Sequence, residues 1–174
     1  MIYLYLTNYA ESTPDLAFMA VNTFLKDCQH TEAKVRGLAL RNLCSLRFTG
    51  SFEYLLPAIM HALKDSDSYV RKTAIISCIK IFYIAPETIK KSSIIETLYT
   101  LIKDNDTLVI VNAIQALNEI LYQEGGIAIS SKMVIYLLNI LKEFDEWGQI
   151  IVLELVAKYK PNTNEELFDI LVRS

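Results

Sequence analysis

One short set of residues recurs along this chain at a nearly constant interval. Lys26-Asp27…Val35-Arg36…Ala39 is followed by Lys64-Asp65…Val70-Arg71…Ala74, and then by Lys103-Asp104…Val109-Ile110…Ala113. Val35 to Val70 is 35 residues and Val70 to Val109 is 39. A weaker fourth copy sets Asp145, Gly148 and Val152 a further 39 residues beyond Asp106, Val109 and Ala113. Each copy opens on a polar, Asp-containing turn and continues as an apolar-periodic helix. That combination leaves little freedom: each copy is one supersecondary unit, and the units must stack.

The interval matches HEAT-type helical hairpins. A lone hairpin cannot bury both of its apolar faces, so neighbours share a continuous core. The expected fold is all-α, a HEAT/armadillo-like superhelix of antiparallel hairpins, with residues 1–174 as a single piece open at both ends. Ala39, Ala74 and Ala113 are small enough for inner helices to approach closely. Asp27, Asp65 and Asp104 stand in the turns, where a carboxylate caps the amides of the next helix. Arg36 and Arg71 offer planar, five-donor forks to a carboxylate of the same or the adjacent turn. Asp27, Arg36, Asp65 and Arg71 are thus expected to form a structural ladder, which weakens where Ile110 replaces the arginine.

The helix map follows from starts and stops. Residues 2–9 read as the end of a helix. Thr13-Pro14-Asp15 is a strong start, with proline at the first helical position. Outer and inner partners are expected at 14–26 and 33–47, 52–63 and 67–82, 93–102 and 107–123, and 131–141 and 146–159. Pro57 is expected to bend or shorten its helix, and Gly125-Gly126 to end another. Thr163-Asn164-Glu165-Glu166 is a capping box before a last helix at 167–172.

Composition narrows the partners. The net charge is −3 and Lys90-Lys91 is the only lysine pair, so the concentrated basic face that nucleic acid requires is missing. No stretch approaches the roughly 20 apolar residues that span a bilayer. The three cysteines form an odd set that suits a reducing, cytosolic compartment.

Candidate chemistry meets a plainer reading at each point. Cys28, Cys44 and Cys78 include no C-x-x-C pair, and His30 and His61 do not complete zinc-ligand spacing; small core thiols are the better reading. Asp65-Ser66-Asp67-Ser68 and Asp104-Asn105-Asp106 open like calcium loops. Counting from Asp65, however, Val70 and Ile76 stand where the loop needs glycine and glutamate. Two histidines and no serine elbow leave no nucleophilic triad, and Glu53, Glu96 and Glu119 lack a paired carboxylate. No catalytic, metal or cofactor site is expected.

Longer stretches are more specific than the repeat. Ile2-Tyr3-Leu4-Tyr5-Leu6-Thr7-Asn8-Tyr9-Ala10, Ala20-Val21-Asn22-Thr23-Phe24-Leu25-Lys26-Asp27-Cys28, Tyr69-Val70-Arg71-Lys72-Thr73-Ala74 and Glu146-Trp147-Gly148-Gln149-Ile150 resemble segments of the β-adaptin large subunits of adaptor-protein complexes. Val35-Arg36-Gly37-Leu38-Ala39-Leu40-Arg41 and Gln123-Glu124-Gly125-Gly126 look closest to the β subunit of the fourth adaptor complex. The resemblance implies a trunk scaffold in a heterotetrameric vesicle coat that sorts cargo. Its partners would be the second large, medium and small adaptins, on the cytoplasmic side of trans-Golgi network and endosomal membranes. It also implies a contact with a small GTPase of the ADP-ribosylation-factor type at Leu4, Phe18 and Val21, although all three are equally explained as inter-helix core. Another helical-repeat scaffold, of the nuclear transport receptor or phosphatase type, is the alternative.

Overall fold

Asp67, Asp106 and Asp145 each hold extended backbone angles immediately before a helix, and each side chain accepts an amide of the first turn. An N-cap of this kind satisfies one of the orphan donors that every helix start leaves. The recurrence of such starts sets the architecture. A computed structural model of the chain describes residues 14–46 and 52–161, and every regular element in them is helical. In order these are α1 (Pro14–Asp27), α2 (Ala33–Leu43), α3 (Phe52–Ala62), α4 (Ser68–Ile84), α5 (Pro86–Lys90), α6 (Ile94–Leu101), α7 (Thr107–Ile120), α8 (Ser131–Asn139) and α9 (Glu146–Ala157). The helices expected at 2–9 and 167–172 lie outside the described residues. The chain divides after Thr97, within α6, into two compact units.

In the first unit α1 packs on α2, α3 on α4, and α2 most extensively on α4. Leu55, Ile59 and Ala62 of α3 and Leu63 just after it are buried, the i, i+4, i+7, i+8 stripe of a helix with one apolar face. Helix α4 buries more than a stripe: Val70, Thr73, Ala74, Ile75, Ser77, Cys78 and Ile81 are all enclosed. Its two buried hydroxyls are satisfied locally, because Thr73 donates to the Tyr69 carbonyl and Ser77 to the Thr73 carbonyl, both at 2.8 Å. Ala39 and Ala74 are fully buried. Gly37 has a particular reason to be glycine: a Cβ there would overlap ring carbons of Tyr69.

In the second unit α9 packs on α7 and on α8. Ala113, Ile114 and Leu117 of α7, Val134 and Leu137 of α8, and Val152 and Leu155 of α9 supply the core. Gly148 is the close-approach point. A Cβ on it would meet Asp145 Oδ1 at 2.8 Å, Val111 Cγ2 at 3.0 Å and Phe144 Cβ at 3.1 Å. The glycine of the Trp-Gly-Gln segment is thus demanded from two sides, by its own helix cap and by the neighbouring inner helix.

Several expected boundaries shift. Pro57 sits inside α3 without ending it; so near the start of a helix, its missing N–H removes a single backbone bond. Helix α2 stops at Leu43 instead of running to Arg47, and Ser45 Oγ donates to the Arg41 carbonyl at its end. Helix α7 stops at Ile120, continues as a 3-10 turn at Tyr122–Glu124, and is closed by Gly125 and Gly126 at φ +97° and +90°. Those are angles that glycine alone adopts freely. Helix α5 was not expected, though its signal is present: Pro86 at the first position, followed by Glu87.

Gly148→Ala is expected to lower the unfolding free energy by about 1–3 kcal/mol, the usual cost of overpacking. An unchanged denaturant midpoint would show that Asp145 and Val111 give way without cost.

Candidate functional site

The polar side chains of the first unit converge on one turn, Asp65-Ser66-Asp67. Asp67 caps α4 through the Tyr69 amide at 2.9 Å. Asp65 Oδ1 accepts the Asp67 amide, also at 2.9 Å. From the preceding copy Arg36 lays its fork on the same carboxylate, Nε to Oδ2 at 2.8 Å and Nη2 to Oδ1 at 2.7 Å. The remaining Arg36 nitrogen, Nη1, donates to the His30 and Thr31 carbonyls of its own turn, each at 2.9 Å. One guanidinium therefore ties two successive turns together, in the bidentate geometry that lysine cannot reproduce. The pair is largely shielded, with side-chain exposures of 13% for Arg36 and 5% for Asp65.

Arg71 repeats the own-turn contacts of this arrangement. Its Nη1 donates to the Asp65 and Ser66 carbonyls at 2.8 and 3.0 Å, 35 residues on from the His30 and Thr31 contacts of Arg36. In the third copy Ile110 occupies the position and is buried, so the turn at Asp104–Asp106 has no arginine of its own. The Asp104 and Asp106 carboxylates still accept the Asp106 and Leu108 amides. The acidic pairs that open like calcium loops thus serve as amide acceptors at helix starts.

Asp27 takes a different part from the one its Lys-Asp dipeptide suggests. It is the last residue of α1, and His30 occupies the position of Asp65. His30 Nδ1 accepts the Glu32 amide at 3.0 Å, as Asp65 accepts that of Asp67. Glu32, the N-cap of α2, makes no side-chain cap. The first turn is three residues longer between its Lys-Asp and Val-Arg pairs than the second, and the dipeptide match slid by that amount.

Of the three residues implied as a GTPase contact, Leu4 and the side chain of Phe18 lie outside the described residues, and Val21 is 3% exposed. Cys44 and Cys78 are buried and Cys28 is partly buried. Burial, with smaller contributions from Cys44 and Asp27, pushes the Cys28 thiol up to about 12. Cys44 is pushed up to about 11 by burial, against the opposing pull of a Ser77 hydrogen bond and of Lys80. Cys78 is raised further, again by burial. Thiols held protonated are poor nucleophiles and poor metal ligands. A cavity of about 300 Å³ opens beside Cys44, Ser45, Lys80, Tyr83 and Ile84, where Lys80 Nζ donates to Ser45 Oγ at 3.3 Å.

Stacked hairpins whose polar groups are committed to capping turns and tying them together define a class, the helical-repeat proteins that present surface rather than reactive groups. A solved structure, of an engineered protein, shares this fold at a TM-score of 0.51 and 19% identity, covering 88% of this chain and 67% of that one. The chain belongs to the adaptin N-terminal region family, whose profile matches residues 1–171, and its fold class is the HEAT/armadillo-like hairpin repeat. It is 43% identical over 171 residues to mouse AP-4 complex subunit beta-1, covering 98% of this chain and 23% of that protein. It is 38% identical to beta-adaptin-like protein A of Arabidopsis thaliana, covering 98% and 22%. Against human AP-1 complex subunit beta-1 it is 39% identical, covering 99% and 18%. The chain thus spans about a fifth of the length of these relatives.

The Asp65 carboxyl has two opposed influences. Burial pulls it upward, but hydrogen bonds from Arg36 and from the Asp67 amide outweigh that and hold it below the usual carboxylate range. The folded state therefore takes up this proton only at lower pH than the unfolded state. Its stabilisation is complete above the unfolded value of about 3.9 and is lost as pH falls through the lower folded value. Arg36→Ala is expected to lower the melting temperature at pH 7, with the difference from the parent shrinking as Asp65 protonates below about pH 4. Arg36→Lys should restore only part of the loss. Equal melting of Arg36→Ala and the parent at pH 7 would remove the tie from the list of stabilising contacts.

Proposed function

We infer that this chain is part of the trunk of a β-type large subunit in a heterotetrameric adaptor-protein complex. In this reading it serves vesicle-mediated intracellular protein transport and cargo sorting as a protein-binding scaffold, without catalysing a reaction. The observation that carries the inference is the 43% identity to an AP-4 β subunit across 98% of the chain. The structure supports it in kind: within each unit, helical hairpins with capped turns supply a packed surface. The partners are the second large, the medium and the small adaptins. The complex acts from the cytoplasm, peripherally on trans-Golgi network and endosomal membranes; no described helix is long and apolar enough to cross a bilayer. Residues 1–174 act as one continuous piece of the trunk.

A small GTPase of the ADP-ribosylation-factor type is a further partner in this reading, at Leu4 and Phe18 in the early part of the chain. Val21, being buried, supports that surface from beneath. Nuclear transport receptors and phosphatase scaffolds remain the less favoured class, since the relatives described above are adaptor β subunits by name.

Affinity purification of the full-length protein from its own cells is expected to recover a second large, a medium and a small adaptin. Recovery of nuclear import cargo or of a phosphatase catalytic subunit in their place would replace the reading. Phe18→Ala is expected to reduce capture by a GTP-locked GTPase of this type while leaving adaptin recovery intact; equal capture would move the contact elsewhere.

A further inference from the structure

Tyr69, Leu108 and Trp147 occupy one register position, 39 residues apart. Each is the second residue of its inner helix and follows an aspartate N-cap. All three are exposed, at 39%, 45% and 75%. Their exposure differs in kind from that of the other apolar residues on α9. Ile150 and Leu153 are 49% and 42% exposed, yet their counterparts 39 residues earlier, Val111 and Ile114, are buried, Val111 lying against Gly148. Those two belong to a stacking face. Leu108, by contrast, stays open although α9 already packs on α7. Tyr69 lies against Gly37, whereas Leu108 and Trp147 stay open in the second unit.

In the second unit the two residues share one end of the layer, since Val111, one turn on from Leu108, touches Gly148, the neighbour of Trp147. The turn beside Trp147 is acidic: Glu143, Asp145 and Glu146 outnumber Lys142. The two helix N-termini offset about half a charge each, and the rim remains negative. A leucine and a half-open tryptophan in an acidic surround make an apolar anchor site with a charge preference.

We propose that Leu108 and Trp147, at the starts of α7 and α9, form a docking site for a basic, amphipathic segment of another polypeptide, with its apolar side chains on the two residues and its cations against the carboxylates. The inference stands apart from the adaptor reading, for it rests on exposure, register and charge within the second unit.

Trp147 is the only tryptophan in the chain, so its emission reports the site directly. The whole chain would be titrated with an amphipathic leucine–lysine peptide and with its leucine–glutamate counterpart. The expected result is a blue shift with the first and none with the second. By anisotropy of the labelled basic peptide, Leu108→Ala and Trp147→Ala should each weaken binding about ten-fold or more. Tyr122→Ala, 82% exposed beyond the far end of α7, should bind like the parent. Both substituted side chains are exposed, and an unchanged helical circular dichroism spectrum confirms that each variant is folded. Equal binding of the two peptides, no binding, or variants indistinguishable from the parent would overturn the proposal. So would a blue shift given by phosphatidylcholine vesicles and not by peptide, or a parent chain whose Trp147 is already shielded in a self-associated form.

Discussion

Burial of one hairpin's apolar faces against the next is the interaction from which everything else in this chain follows. An isolated pair of helices of eleven to seventeen residues, such as α2 and α4, is marginal in water, because nucleation and ordering cost more than one apolar stripe returns. Stacking changes the balance by enclosing α4 on more than one side. The price of close stacking is a demand for small residues where helices approach, met by Ala39, Ala74 and Ala113 and, most tightly, by Gly148. Apolar contact is non-directional, however, and sets neither stagger nor orientation. The polar turns supply those. Arg36 grips the carbonyls of its own turn and the carboxylate of the next, so two layers share one rigid fork.

The same turns use their carboxylates as amide acceptors at helix starts, as Asp67, Asp106 and Asp145 show. What the hairpins offer instead is surface, and the surface is patterned by the repeat. At the register of Tyr69, Leu108 and Trp147 a partly open apolar side chain recurs, whereas Ile150 and Leu153 are open where Val111 and Ile114 are buried.

Much of this was legible in the sequence, for physical reasons that differ from element to element. The starts of α4, α7 and α9 could be read because each carries an aspartate directly before an apolar run. The pairing of Arg36 with a turn carboxylate could also be read, since an arginine fork at a repeated position has few other uses. The first turn was read wrongly. The Lys26-Asp27 dipeptide looks like Lys64-Asp65, but the function of Asp65 passes to His30, whose ring nitrogen accepts an amide equally well. Counting back six residues from each arginine would have found it, because the Nη1 contacts of Arg36 and Arg71 lie at identical offsets. Pro57 lies inside α3, which runs on to Ala62, so a proline alone does not mark where a helix ends. The exposure of Leu108 and Trp147 was not legible, because an apolar residue at a helix start looks like core until its neighbours are known.

The buried thiols carry a practical consequence. Cys44 and Cys78 are buried and Cys28 is partly buried, and burial raises all three thiols above their ordinary value, so alkylating reagents that need thiolate are expected to react with them slowly in the native protein. A single cysteine introduced on the open surface would then be the fast-reacting group, and dyes or cross-linkers could be attached at a chosen point without first stripping the chain of its own sulfur. Labelling that proceeds only on unfolding would, in turn, make those three sulfurs a clock for the opening of the first unit.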